Sequence, residues 1–198
     1  MHPLPFSGDP LYASTFWTAY LLWLAFETRG TFRHRSKNPA NARDRGSYLL
    51  IIILLWIGVG LAFALSFVLP QATITWHRKA VFFNGIALML LGMAFRYYAM
   101  SVLGKFFTYQ VAVHSGQTVI ETGPYRYIRH PSYTGALITL AGLGLALGNW
   151  ASLVVMLACV GVAYAYRISV EESALIVALG EPYKNYMRRT RRLVPFLF

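Results

Sequence analysis

The chain has 198 residues, 57% hydrophobic and only 13% charged, with 18 lysines and arginines against 7 aspartates and glutamates for a formal charge of +11. A soluble domain carries about 25% charged residues, so this composition excludes an ordinary soluble fold and indicates a membrane protein. At roughly 20 apolar residues per span, one domain over residues 1–198 has room for about five transmembrane helices and none for a separate soluble catalytic domain.

Residues Leu11 to Phe26 form the first apolar run, rich in aromatics and closed by Glu27 and Arg29. Met1 to Pro10 contains no lysine or arginine, unlike a cleaved signal peptide, so this span is expected to be retained. Tyr48 to Leu69 carries no charge and ends at Pro70, the clearest span in the chain. A third runs from Ala80 to about Leu103, with Arg96 expected to snorkel beside Tyr97 and Tyr98 at the interface. These three occupy residues 1–103. In residues 104–198, a fourth span is expected from Ser132 to Leu147 and a fifth from Trp150 to Tyr166, joined at Gly148-Asn149 by a tight turn. The fifth continues as a helix to Leu179, Gly180 stops it, and Pro182 starts a short amphipathic helix over Tyr183 to Arg189.

Between the third and fourth spans, Tyr109 to Val113 reads as extended, followed by turn signals at Ser115-Gly116 and Thr122-Gly123-Pro124. The basic residues cluster in the loop from Arg29 to Arg45, from Arg96 to Arg129 and from Arg167 to Arg192, with only Arg78 and Lys79 elsewhere. The positive-inside rule then places those three segments in the cytoplasm and the N-terminus across the membrane.

Several familiar chemistries are excluded. The five histidines show no i, i+4 pairing or carboxylate spacing for a metal site, and the single Cys159 permits neither an intrachain disulfide nor a multi-cysteine cluster. Most aromatic side chains lie in or beside apolar runs, so the positive charge points to a bilayer and not to nucleic acid. The tail Arg188 to Arg192 likewise suits anionic lipid. Gly142 to Gly148 lacks the preceding strand of a nucleotide loop, and Gly144 and Gly148 are expected to form a small-residue packing face.

Two polar constellations remain. One is Gly123 to Gly135, in which Pro131 suits the first turn of a helix whose N-terminal amides favour an anion, with Arg129 and His130 beside it. Arg, His and Tyr are equally at home as interfacial anchors, so the string alone leaves both readings open. The other is Arg167 to Glu172. Arg167 and Glu171 share a helix face and can pair, which would be a weak surface contact unless they serve a site. Glu172 lies about 100° around the helix and is expected to face water.

Gly-x-Tyr, then Arg-His-Pro-Ser-Tyr-x-Gly opening a helical hairpin, then Glu171-Glu172, Gly180 and the Tyr183 and Tyr186 pair, resembles the isoprenylcysteine carboxyl methyltransferase family in order and spacing. The resemblance runs from about Phe106 to Pro195. It implies an all-α integral membrane protein whose cytoplasmic cofactor pocket is built from the loop before the fourth helix and the C-terminal segment. It implies a carboxyl O-methyltransferase using S-adenosyl-L-methionine, acting on an isoprenylated cysteine or similar lipid acid that enters from the bilayer.

Carried over by position, the cofactor contacts are Gln110, Gln117, Thr118, Val119, Ile120, Tyr125, His130, Pro131, Ser132, Tyr133 and Glu171. Arg167 holds the substrate carboxylate, with Arg129 as a second candidate, and no metal is implied. Gln117 departs from the family's usual residue, so only its backbone is expected to touch the cofactor. Alternative readings are a phospholipid N-methyltransferase, an NADPH-dependent enzyme like the membrane sterol reductases, which share a related hairpin and tail, and a catalytically silent membrane scaffold. The sequence carries no signal for oligomeric state.

Overall fold

Six α-helices follow one another in a computed structural model that describes residues 8–33, 44–109 and 116–194: α1 (Pro10–Arg33), α2 (Ser47–Val68), α3 (Arg78–Leu103), α4 (Pro131–Ala146), α5 (Trp150–Leu179) and α6 (Glu181–Arg189). The boundaries follow local chemistry. Asp9 Oδ1 caps α1 by accepting from Leu11 N at 2.9 Å. Pro131 stands at the start of α4, where its missing N–H costs nothing. The Asn149 side chain accepts from Ser152 N at 3.2 Å to cap α5, and Gly180, at φ +62°, ends it.

The turn between α4 and α5 falls at Gly148-Asn149 as expected, and Asn149 Nδ2 also donates to Leu69 O at 2.9 Å, tying the hairpin to the end of α2. Gly148, with φ +67°, is therefore the turn residue and not part of a packing face; Gly144 does pack, against Leu153 of α5.

Helices α2 and α5, and α3 with its short 3-10 extension to Phe106, are long and apolar enough to cross a membrane. Helix α1 is diluted by threonines, tyrosines and tryptophans, and the 16 residues of α4 rise only about 24 Å, short of a hydrocarbon core of about 30 Å. Three helices rather than five thus meet the criterion among the described residues. The burial pattern is that of an integral membrane protein: Ile53, Trp56, Ile57 and Leu61 of α2 are exposed, while Ser47, Ser66, Thr139 and Ser152 are buried.

The tightest packing in the bundle joins α3 to α4. A Cβ on Gly92 would lie 2.5 Å from Thr139 N, one on Gly142 2.5 Å from Gly85 O, and one on Gly135 2.7 Å from Arg96 N. Glycines seven apart on each helix therefore let the backbones touch, which is how helices associate where lipid removes the hydrophobic drive. Helix α2 packs along α5, and α1 contacts the bundle through α3 and an aromatic group in which Phe16, Trp17 and Tyr20 surround Phe63.

Replacing Gly92 by Ala should lower thermal stability in detergent by about 1–3 kcal/mol through overpacking. Gly60→Ala, where the added methyl meets nothing within 4 Å, should leave it unchanged or raise it by up to about 1 kcal/mol.

Candidate functional site

A cavity of about 390 Å³, within the usual range for small-ligand sites, opens where all six helices converge with the loop before α4. One wall comes from Gln117, Thr118, Val119, Ile120 and Tyr125; another from His130, Ser132 and Tyr133 at the start of α4; a third from Arg167 and Glu171 of α5. These residues, far apart in sequence, share one cavity. Gln110 lies outside the described residues, as does most of the stretch from Tyr109 to Val113. Pro131 is buried as the first residue of α4 and does not line the cavity. Of that helix's first amides, Tyr133 N and Thr134 N both donate to His130 O, which leaves little of an open anion site.

Arg167, 2% exposed, is the largest fully buried side chain among the described residues. Its Nε donates to Tyr133 Oη at 3.1 Å, its Nη1 to Ser47 Oγ at 2.8 Å and to Asp44 Oδ1, and its Nη2 to Tyr109 O at 2.6 Å. It does not pair directly with Glu171. Tyr133 stands between them, accepting from Arg167 and donating to Glu171 Oε2 at 2.7 Å. The other Glu171 oxygen has no hydrogen-bond partner among the described residues, and its carboxylate faces the cavity. Beside it the rings of His130, Tyr133 and Tyr164 stack, with centroids 5.5 and 4.8 Å apart.

Glu172 does not face water. It is 3% exposed and accepts from Arg129 Nε at 2.7 Å and from Arg192 Nη2 at 3.0 Å, with His130 Nε2 3.3 Å away. Arg129 also donates from Nη1 to the carbonyls of Met187 and Thr190. Arg129 lines the cavity as well, and it brackets the C-terminal segment onto the loop before α4, where Arg129 N donates to Arg191 O at 2.7 Å and His130 N to Arg192 O at 3.0 Å. From α6, Tyr186 Oη donates to Tyr125 O at 2.6 Å. Burial pushes the phenols of Tyr125, Tyr183 and Tyr186 up, so each stays a neutral hydroxyl.

Sequence reasoning missed a third charged group. Arg96 does not snorkel: it is 5% exposed, with Nε 2.8 Å from Glu27 Oε1, Nη2 donating to Glu27 Oε2 at 3.1 Å, and Nη1 donating to Ser132 O at 2.9 Å. Tyr109 Oη donates to the same carboxylate at 3.2 Å. The available signal was the position of Arg96 inside one apolar run and of Glu27 at the end of another, where an ionisable side chain needs a partner. Glu27, Arg96 and Tyr109 all line the cavity.

Beyond this cluster the cavity is apolar. Trp23, Leu24 and Phe32 of α1 face Ile51, Leu55 and Trp56 of α2, and since Phe32 and Trp56 are exposed, the cavity reaches the outer surface of the bundle between these helices.

A family model described as the isoprenylcysteine carboxyl methyltransferase (ICMT) family matches residues 85–177. The match covers just under half of the chain. The matched segment contains α3 from Gly85 onward, α4, the loop between them and α5 through Val177, and therefore most of the cavity's polar side chains. The chain is 28% identical over 116 residues to the protein-S-isoprenylcysteine O-methyltransferase of Schizosaccharomyces pombe, covering 58% of this chain and 49% of that one. It is 33% identical over 115 residues to the Saccharomyces cerevisiae enzyme of the same name, covering 57% and 48%. A match to Arabidopsis thaliana protein-S-isoprenylcysteine O-methyltransferase B, 31% identical over 115 residues, covers 57% and 58%. The matches thus span roughly half of the length of these relatives. The fold agrees with a solved structure of the eukaryotic intramembrane Ras methyltransferase ICMT, with a TM-score of 0.55 at 24% identity over 77% of this chain and 53% of that one.

Glu172→Ala should destabilise the protein by about 3–5 kcal/mol, because it strands Arg129 and His130 in a buried site. Glu171→Ala removes one partly exposed hydrogen bond and should cost about 1 kcal/mol. Thermal unfolding of the two variants in the same detergent measures the contrast.

Proposed function

We propose that this protein transfers a methyl group from S-adenosylmethionine to the carboxylate of an isoprenylated cysteine or a similar membrane-dissolved lipid acid. The observation that carries the reading is the pairing, in one cavity, of a buried guanidinium and an open carboxylate linked through Tyr133, next to an apolar groove that reaches the bundle surface. The names of the relatives support the acceptor, and the clustering of basic residues at this end of the bundle supports a cytoplasmic mouth.

The cavity fits a cationic methyl donor. Glu171 offers a carboxylate oxygen with no hydrogen-bond partner among the described residues, and the stacked rings of His130, Tyr133 and Tyr164 present π faces, both of which favour a positive charge. Gln117 to Ile120, Tyr125, His130, Ser132, Tyr133 and Glu171 would hold it. When bound, S-adenosylmethionine supplies an electrophilic methyl, whose bond to sulfur breaks as the bond to the acceptor oxygen forms.

An ionised carboxylate is already a competent nucleophile, so the chain need not provide a general base. Its task is alignment, and holding two reactants in an attack geometry supplies about 7–11 kcal/mol. In this reading Arg167 orients the acceptor's carboxylate by its guanidinium fork, and Tyr133, bonded to both, links it to Glu171. The groove between α1 and α2 takes the lipid tail from the bilayer and excludes water from the polar end.

Membranes or purified protein given methyl-labelled donor and lipid extract should place the label in base-labile esters. Label in stable amines would indicate phospholipid N-methylation instead, and binding of NADPH rather than S-adenosylhomocysteine would indicate a reductase. Arg167→Lys keeps the charge but loses the planar fork, and should lower turnover about 100-fold while leaving S-adenosylhomocysteine binding intact. Glu171→Gln should weaken that binding about tenfold, measured by calorimetry.

A further inference from the structure

The guanidinium assigned to the acceptor is already engaged by a carboxylate of the chain itself. Arg167 has five N–H groups. Nε is directed to Tyr133, both hydrogens of Nη1 to Ser47 and Asp44, and one hydrogen of Nη2 to the Tyr109 carbonyl. A bidentate grip on an incoming carboxylate needs two donors on one edge of the fork. The second Nη2 hydrogen is without a partner among the described residues, while the neighbouring Nη1 is held by the Asp44 carboxylate and the Ser47 hydroxyl.

We propose that Asp44 is a resident carboxylate that occupies the acceptor's place on Arg167 and yields it when the acceptor binds. The inference rests on the function proposed above and deepens it, adding a residue that governs which acceptors are held.

The local chemistry suits such an exchange. Asp44 Oδ2 accepts from Tyr48 N at 2.9 Å, and Oδ1 accepts from Ser47 Oγ at 3.2 Å. Both donors belong to the first turn of α2, where the helix dipole favours a negative charge. Releasing Arg167 therefore leaves the Asp44 carboxylate with partners and not stranded. Asp44 is also the more open member of the pair, with its side chain 15% exposed against 2% for Arg167. The contact keeps a buried guanidinium paired, as a charge inside an apolar bundle requires.

Exchange also imposes a threshold. An anion without an apolar tail must displace Asp44 with nothing else to gain, whereas a lipid acid brings the burial of its tail between α1 and α2 to the same competition. Asp44 thus acts as a positioning and selectivity residue: it touches Arg167, and it opposes weakly bound anions.

The test uses the full-length protein in detergent, with S-farnesylcysteine as the acid acceptor and its carboxamide as a competitor that lacks the charge. Asp44→Asn retains an N-terminal capping side chain for α2 while removing the negative charge. The KM for the acid should fall about tenfold, equivalent to about 1.4 kcal/mol, while the inhibition constant of the carboxamide stays where it is. Asp44→Ser, a second uncharged capping side chain, should give the same split even if one of the two variants folds poorly.

An unchanged or raised KM, or acid and carboxamide shifting together, overturns the exchange, because loss of a purely structural contact would not distinguish them. The control separates the two levels of the argument. If the unmodified protein labels S-farnesylcysteine and the KM does not move, the role of Asp44 alone falls. If the unmodified protein transfers no methyl to the acid, the proposed function falls and takes this role with it.

Discussion

A charge inside an apolar bundle has to be matched, and this chain holds few acids with which to match its bases. Most of the architecture around the cavity follows from how that shortage is resolved. Glu27 of α1 meets Arg96 of α3, Asp44 ahead of α2 meets Arg167 of α5, and Glu172 of α5 gathers Arg129, Arg192 and His130. Each contact joins segments far apart in sequence, and together they place α1, α2, the loop before α4 and the C-terminal segment around one space. Glu171 is the carboxylate that the network leaves facing the cavity, next to a set of stacked rings.

The two ends of that space have opposite character. The polar end is built by short local devices: Pro131 starting α4, the 3-10 turn at Gly123–Arg126, and the pairing of Ile128 with Arg191 that lays the C-terminal segment against the loop. The apolar end is built by α1 and α2, which meet at Phe63 and then leave a groove between them. A molecule with one charged group and one long apolar tail is the shape this gradient accommodates, which is why the donor and acceptor readings converge on a single cavity.

The helical elements were legible because their signals are local. The charge-free run of α2, the Gly148-Asn149 turn, the Gly180 stop and the Pro182 start each appear where the sequence places them. The polar residues before α4 and along α5 were legible through their order. What sequence could not convey was the facing of individual charges across helices. Glu171 and Glu172 plainly occupy different faces, yet nothing in the string says which face is interior, and the one expected in water is the most heavily bonded carboxylate in the site. Arg167 and Glu171 have the spacing of a direct pair, but Tyr133 from α4 comes between them. Arg96 looked interfacial because only the fold reveals Glu27 opposite it, and Asp44 sat unnoticed in a basic loop.

The glycine contact between α3 and α4 has a mechanical consequence. At Gly85, Gly92, Gly135 and Gly142 the helices meet backbone against backbone, with the Thr139 hydroxyl and the Arg96 Cβ as the nearest side-chain atoms. Such an interface has nothing soft in it, so this pair behaves as a stiff plate carrying Arg96, His130 and Tyr133 in fixed relation. Widening of the groove for a bulky tail must therefore be borne by α1, whose hold on the bundle is made of flexible aromatic and charged side chains. Compliance and precision are thus assigned to different helices of the same small protein.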